Sequence, residues 1–173
     1  MPKLKKMLGD VNSPECSDLM RLMETQSQAT LAAWAIDFAG KNYLEIYEAQ
    51  FPGDTRLSDA VAAAKQSVAG GKQKIRPILK EAAQLARDSG DNPIAQAAAR
   101  AVSTACAAVL TPTNALGFLF YGAAAAAYSK AGLKQTPTVY DALASAELKK
   151  ALDSLRERAV PDEQNPAKMK WYC

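Results

Sequence analysis

Apolar residues recur along most of this chain at spacings of three and four, and proline and glycine punctuate the pattern. Leu19, Leu22 and Met23, then Leu31, Trp34, Ala35 and Phe38, then Leu44, Tyr47 and Phe51 share one rhythm. Ser13-Pro14-Glu15 places a capping hydroxyl before a proline at the first helical position, so a helix is predicted from about Pro14. A break near Ser27 would leave two consecutive helices or one bent one, and Pro52-Gly53 ends the element.

Leu57, Val61, Ala64 and Val68 make the next stripe, closed by Gly70-Gly71. Ile75, Ile78, Leu79, Ala82 and Leu85 make another, ending near Ser89-Gly90. Asn92-Pro93 repeats the cap-then-proline signature and opens a helix through about Val109. Thr111-Pro112-Thr113-Asn114 interrupts, a helix follows from about Asn114 to Ala131, and Thr136-Pro137 starts one carrying Tyr140, Leu143, Leu148, Leu152 and Leu155. No stretch alternates with period two in β-branched residues. The pattern predicts an all-α fold: a single bundle-like domain of six or seven helices over 1–159, with an extended or loose tail over 160–173.

Composition sharpens this through an excess of alanine, in "AVAAAKQSVA", "AQAAARAVSTACAA" and "GAAAAAYSKAG". Alanine favours helices and lets their backbones approach closely. Gly117 and Gly122 extend that smallness and leave open whether the helix packs within the chain or against a second copy. Net charge is +3, from 21 basic and 18 acidic side chains, too small a surplus to imply nucleic acid or an anionic membrane. Cys16, Cys106 and Cys173 are an odd number without metal-ligand spacing, as expected of reduced thiols in the cytoplasm. The basic start "MPKLKKMLGD" leads into no signal-peptide core, and the longest uncharged apolar segment, Ala115 to Tyr128, is shorter than the ~20 residues that span a bilayer. A cytoplasmic protein without a membrane segment is expected.

The chain contains no histidine, which excludes Ser-His and Cys-His catalysis, and it shows neither zinc nor calcium spacing nor a phosphate-binding glycine loop. No metal or cofactor is expected. Asp37 and Glu45 lie eight apart on one helix, a paired-acid spacing for which a solvated face is the favoured reading. Lys65, Lys72, Lys74, Arg76 and Lys80 surround the Gly70-Gly71 turn but lack interleaved aromatics, so nucleic acid is disfavoured as a partner. In the corner "FPGDTRLSDAV", Asp54 or Thr55 is placed to cap the following helix. Arg56 opposes the helix dipole there and calls for an anion: Asp37, Glu48, or a ligand from outside.

The order of "LGDVNSPECSDLMRLMETQSQATLAAWAIDFA", "YEAQFPGDTRL", "NPIAQAAARAVSTA" and "TPTNALGFLFYGAAAAAYSKAG" resembles the immunity-protein-five-like family of bacterial immunity proteins, from about Leu8 to Leu155. The shared elements are Trp34-Ala35, the corner Pro52-x-Asp54-x-Arg56, and Tyr121-Gly122-Ala123. The resemblance implies an all-α, non-catalytic binding protein of a polymorphic toxin system, which neutralises a cognate toxin by sequestering it. Members carry histidines where this chain has Leu110 and Asn114, and often arginine and tryptophan where it has Ser58 and Ser67. A partner-binding role therefore carries over better than a small-molecule or metal role. The slightly basic charge does not favour a nuclease partner.

The binding candidates are thus Asp37, Asp54, Arg56, Asn114 and Tyr121. A second reading makes Asp37, Arg56, Asn114 and Tyr121 a polar inter-helix pocket for a small ligand or a reaction, which requires these four side chains to converge.

Overall fold

A computed structural model describes residues 3–71 and 74–171. Among these residues the chain forms eight helices and no strand: α1 (Pro14–Met23), α2 (Gln28–Asn42), α3 (Leu44–Gln50), α4 (Arg56–Val68), α5 (Ile75–Asp88), α6 (Pro93–Ala107), α7 (Asn114–Ala131) and α8 (Pro137–Arg158). The all-α architecture read from the apolar spacing is the one observed. Counting α2 and α3 as one element bent at Tyr43 gives seven.

The helix starts are set locally. Ser13 Oγ accepts from Cys16 N–H at 3.2 Å, Asn92 Oδ1 from Ala95 N–H at 3.1 Å, and Thr136 Oγ1 from Val139 N–H at 3.3 Å, each ahead of a proline at the first helical position. The break before α2 is likewise capped, Ser27 Oγ accepting from Thr30 N–H at 3.2 Å.

α6 and α7 form the centre. Ala95, Ala98, Ala99, Ala101 and Ala105 of α6 are fully buried, as are Ala115, Phe118, Leu119, Ala123, Ala124 and Ala125 of α7. A helix that is apolar on nearly every side belongs inside a bundle, and the alanine methyls let the two axes come close. α5 packs on α6, α8 on α7 and α1 on α8, while α2, α3 and α4 cover the remaining side.

Bulk missing from the alanines is supplied by an aromatic cluster. Trp34, Phe38, Tyr43 and Phe118 meet with ring centroids 5.6 to 6.4 Å apart. Gly122 makes room for it: a Cβ there would lie 2.3 Å from the Tyr43 ring. Gly122 is therefore used for packing within the chain. Polar tips anchor the cluster to α8, Trp34 Nε1–H donating to Ser154 Oγ at 3.1 Å and Tyr43 O–H to Glu147 Oε1 at 2.8 Å.

Residues 159–171, after α8, have no regular structure, yet they are tied down across the α1–α2 turn. The buried Gln26 side chain bonds Val160 twice, and Gln26 C=O accepts from Ala167 N–H at 2.8 Å. The Glu163 carboxylate accepts from Ser27 N–H and from Thr30 Oγ1 at the start of α2. Trp171 Nε1–H donates to Glu24 Oε1 at 2.8 Å. Asp162 and Asn165 take left-handed turns that short polar residues tolerate.

Candidate functional site

The corner between α3 and α4 turns through Gly53, whose φ of +86° is glycine territory, and lands Asp54 above the first turn of α4. Asp54 Oδ1 accepts from Arg56 N–H (3.2 Å) and Nε–H (3.0 Å), and Oδ2 from Arg56 Nη2–H and Tyr47 O–H, both at 2.8 Å. The anion that Arg56 calls for is thus Asp54, two residues away, and neither Asp37 nor Glu48. Thr55 makes no side-chain cap; Asp54 takes the first N–H of α4 instead.

Four donors fill the roughly four acceptor positions of the Asp54 carboxylate. The Arg56 guanidinium holds Asp54 well below the usual carboxylate range, helped by the Tyr47 hydroxyl. Burial, together with that same hydrogen bond, pushes Tyr47 up to about 12. At neutral pH the triad is therefore a neutral phenol, an anion and a cation satisfying one another, with the Arg56 side chain more than half exposed to solvent.

Asp37 is exposed on α2, where Oδ2 accepts from Arg158 Nη1–H at 2.8 Å and Oδ1 lies 3.8 Å from Lys65 Nζ. It links α2 to α8 and α4. Tyr121 is half-buried on α7, its ring 6.0 Å from the Arg100 guanidinium carbon. Asn114 is half-buried as the first residue of α7. Only Asp54 and Arg56 are brought together. Of five clefts among the described residues, Asp37 lines two, and Asp54, Arg56, Asn114 and Tyr121 line none. The convergence required for a pocket of Asp37, Arg56, Asn114 and Tyr121 is not found in these clefts. Of the basic corner, Lys65 is committed to Asp37, and Lys72 lies outside the described residues, as does Cys173.

The largest of these five clefts, about 670 Å³, runs between α2 and α8. Trp34 and Phe38 form its floor, with Asp37, Lys41, Lys150 and Arg158 among its walls. Most of its charges are matched within the chain: Arg158 meets Asp37, Lys149 meets Asp153 at 3.1 Å, and Lys150 reaches Asn42 Oδ1 while lying 3.8 Å from Glu147. Sequence reasoning did not single out the α8 side of this cleft, although Lys149 and Asp153 stand at the i, i+4 spacing of a helix pair.

A second cleft, of about 280 Å³, opens where residues 3–6 cross the start of α6. Lys3, Lys5, Lys6 and Arg100 line it, and no acidic residue does. The crossing is held by Tyr128 O–H donating to Lys5 C=O at 2.6 Å.

Among the described residues no three His, Cys, Asp or Glu side chains are grouped to hold a metal ion, and no buried polar side-chain atom lacks a partner. No described helix is long and apolar enough to cross a membrane. Cys16 and Cys106 are buried, and burial pushes the Cys106 thiol up to about 12, away from nucleophilic chemistry.

The structure is therefore that of an all-α domain whose polar groups gather in open surface clefts around an alanine-packed centre. Residues 21–158 match the family described as "Imm-5 like putative immunity protein", and the chain belongs to that family. No curated protein and no solved structure gives a match.

Proposed function

We propose that this chain is a cytoplasmic, non-catalytic immunity protein that neutralises a toxin by binding it and covering the surface through which the toxin acts. Membership of the immunity-protein family over residues 21–158 is the observation that carries the reading. The build of the molecule supports it, because a rigid helical scaffold with its polar groups already placed loses little freedom on docking. Asp37, Arg56 and Tyr121 are proposed as contacts at the margins of the docking surface, with Asn114 and Asp54 behind them.

Co-expression tests the reading. Each candidate toxin of the source organism is induced in a heterologous host with and without the chain, and growth is followed. Rescue by the intact chain from one toxin, with recovery of the two proteins as one complex, is the expected result. Rescue from none of them would overturn the proposal, as would rescue in which the toxin is recovered alone and chemically altered.

A further inference from the structure

Of the seven arginines, five have a partner inside the chain: Arg21 and Arg156 lie within ion-pair reach of Asp18, Arg56 meets Asp54, Arg87 meets Gln84 and Arg158 meets Asp37. Arg76 is exposed, where water serves it. Arg100 is different. It is half-buried on α6, and among the described residues its guanidinium has no hydrogen-bond acceptor or carboxylate; its one recorded contact is with the face of Tyr121. Five planar N–H donors thus line a cleft without an anion.

The surroundings are of one sign. Lys3, Lys5 and Lys6 border the same cleft, so four positive charges face a volume of about 280 Å³ in a chain whose total is only +3. Asp141 lines the neighbouring cleft on the far side of the lysine segment. Pro93 and Gln96 reach the cleft from the first turn of α6, where the helix dipole adds to the positive potential, and Ala97 and Arg100 from the second. A low-dielectric wall beside converging cations focuses that field on an incoming anion. The one aromatic lining the cleft, Tyr128, is buried and its hydroxyl is committed to Lys5, so no exposed ring is offered for stacking a base.

We infer that the cleft between Arg100 and the Lys3–Lys6 segment is a docking point for a carboxylate-bearing segment of a partner protein, with Arg100 clasping one carboxylate in bidentate fashion and the lysines steering the approach. The identification of the partner as a toxin rests on the function proposed above; the choice of an acidic peptide rests on the cleft alone.

The probe is a fluorescein-labelled hexaglutamate peptide, titrated against the full chain at low salt and followed by fluorescence anisotropy. Saturable binding is expected, weakening by about tenfold or more in Arg100→Gln, where a charge-assisted bidentate contact is lost. Arg76→Gln, which removes the same charge outside the cleft, should bind as the parent does, and both variants should keep the parent's thermal midpoint. Absence of binding, equal binding by Arg100→Gln, or equal loss in Arg76→Gln would overturn the inference. So would more effective competition by oligothymidine or inorganic phosphate than by unlabelled hexaglutamate. The two readings fail separately: peptide binding with no toxin neutralised leaves the cleft standing and removes the toxin, whereas full neutralisation by Arg100→Gln removes the cleft from the toxin contact and leaves the immunity function.

Discussion

Gly122→Ala adds one methyl group, and its consequence can be worked out from the packing. The new Cβ would lie 2.3 Å from two ring carbons of Tyr43 and 2.6 Å from its hydroxyl oxygen. Carbon atoms in contact prefer about 3.5–4.0 Å, so ring and helix must separate by roughly 1 Å or more. Tyr43 has little room to yield, being fully buried, packed edge-on against Phe38 and Phe118, and bonded to Glu147. Helix propensity favours alanine by about 1 kcal/mol. Overpacking costs about 1–3 kcal/mol, and loosening the bond to a charged acceptor adds about 1.5–3 kcal/mol. The steric effect wins, with a net destabilisation of about 1.5–5 kcal/mol. For a domain of this size that lowers the thermal midpoint by about 3–20 °C. Urea titration followed by far-UV circular dichroism measures the difference. Gly117→Ala is the internal control, because the nearest atom to its added Cβ is Thr104 Cγ2 at 3.9 Å, an ordinary contact; it should be neutral or more stable. In a Tyr43→Leu background the penalty at position 122 should shrink. Gly122→Ala matching Gly117→Ala in stability would refute the claim that the α2–α3 bend is seated on Gly122.

At the corner, Tyr47→Phe keeps the buried ring and removes one donor from Asp54, so a loss of about 1–2 kcal/mol is expected by urea titration; no change would show that the triad is ornamental. The pH dependence follows from Asp54 and Glu163, whose carboxyls are held below their ordinary values of 3.8 and 4.5 by Arg56 and by the Ser27 N–H respectively. Folded values below unfolded ones make their contribution complete above about pH 5 and lost as pH falls through the folded values. Thermal midpoints should decline in acid below that point, and Asp54→Asn should flatten the decline. Glu163→Ala removes the carboxylate at the start of α2, and hydrogen exchange should rise at the amides of Ser27 to Thr30 while the α6–α7 centre stays protected; uniform exchange across the chain would contradict a local role.

What was legible in the sequence was what is decided locally. Ser13, Asn92 and Thr136 cap their helices because a side-chain oxygen and a following proline suffice, wherever the helix later packs. The bend at Tyr43 was not legible, since nothing near Tyr43 demands it; its seat is Gly122, on another helix. The corner was read in part. Its turn and its need for an anion follow from Pro52-Gly53 and Arg56, but helical spacing points to an anion one or more turns away. Asp54 precedes the helix, so helical spacing does not govern its side chain, and two residues is near enough to fold back. The attachments of the tail were hidden because Gln26 and Val160 are far apart in the chain. Arg100 was hidden for a different reason: a missing partner shows only once all the neighbours are in place.

The most direct measurement is a titration of purified toxin, once identified by rescue, with this chain, reading residual toxin activity against molar ratio. A protein that acts by sequestration should lower activity in a straight line that reaches zero at a fixed stoichiometric ratio, and the toxin should regain its activity when the complex is dissociated. Complete and lasting inactivation by a small fraction of an equivalent would contradict binding as the mechanism and make the chain a catalyst.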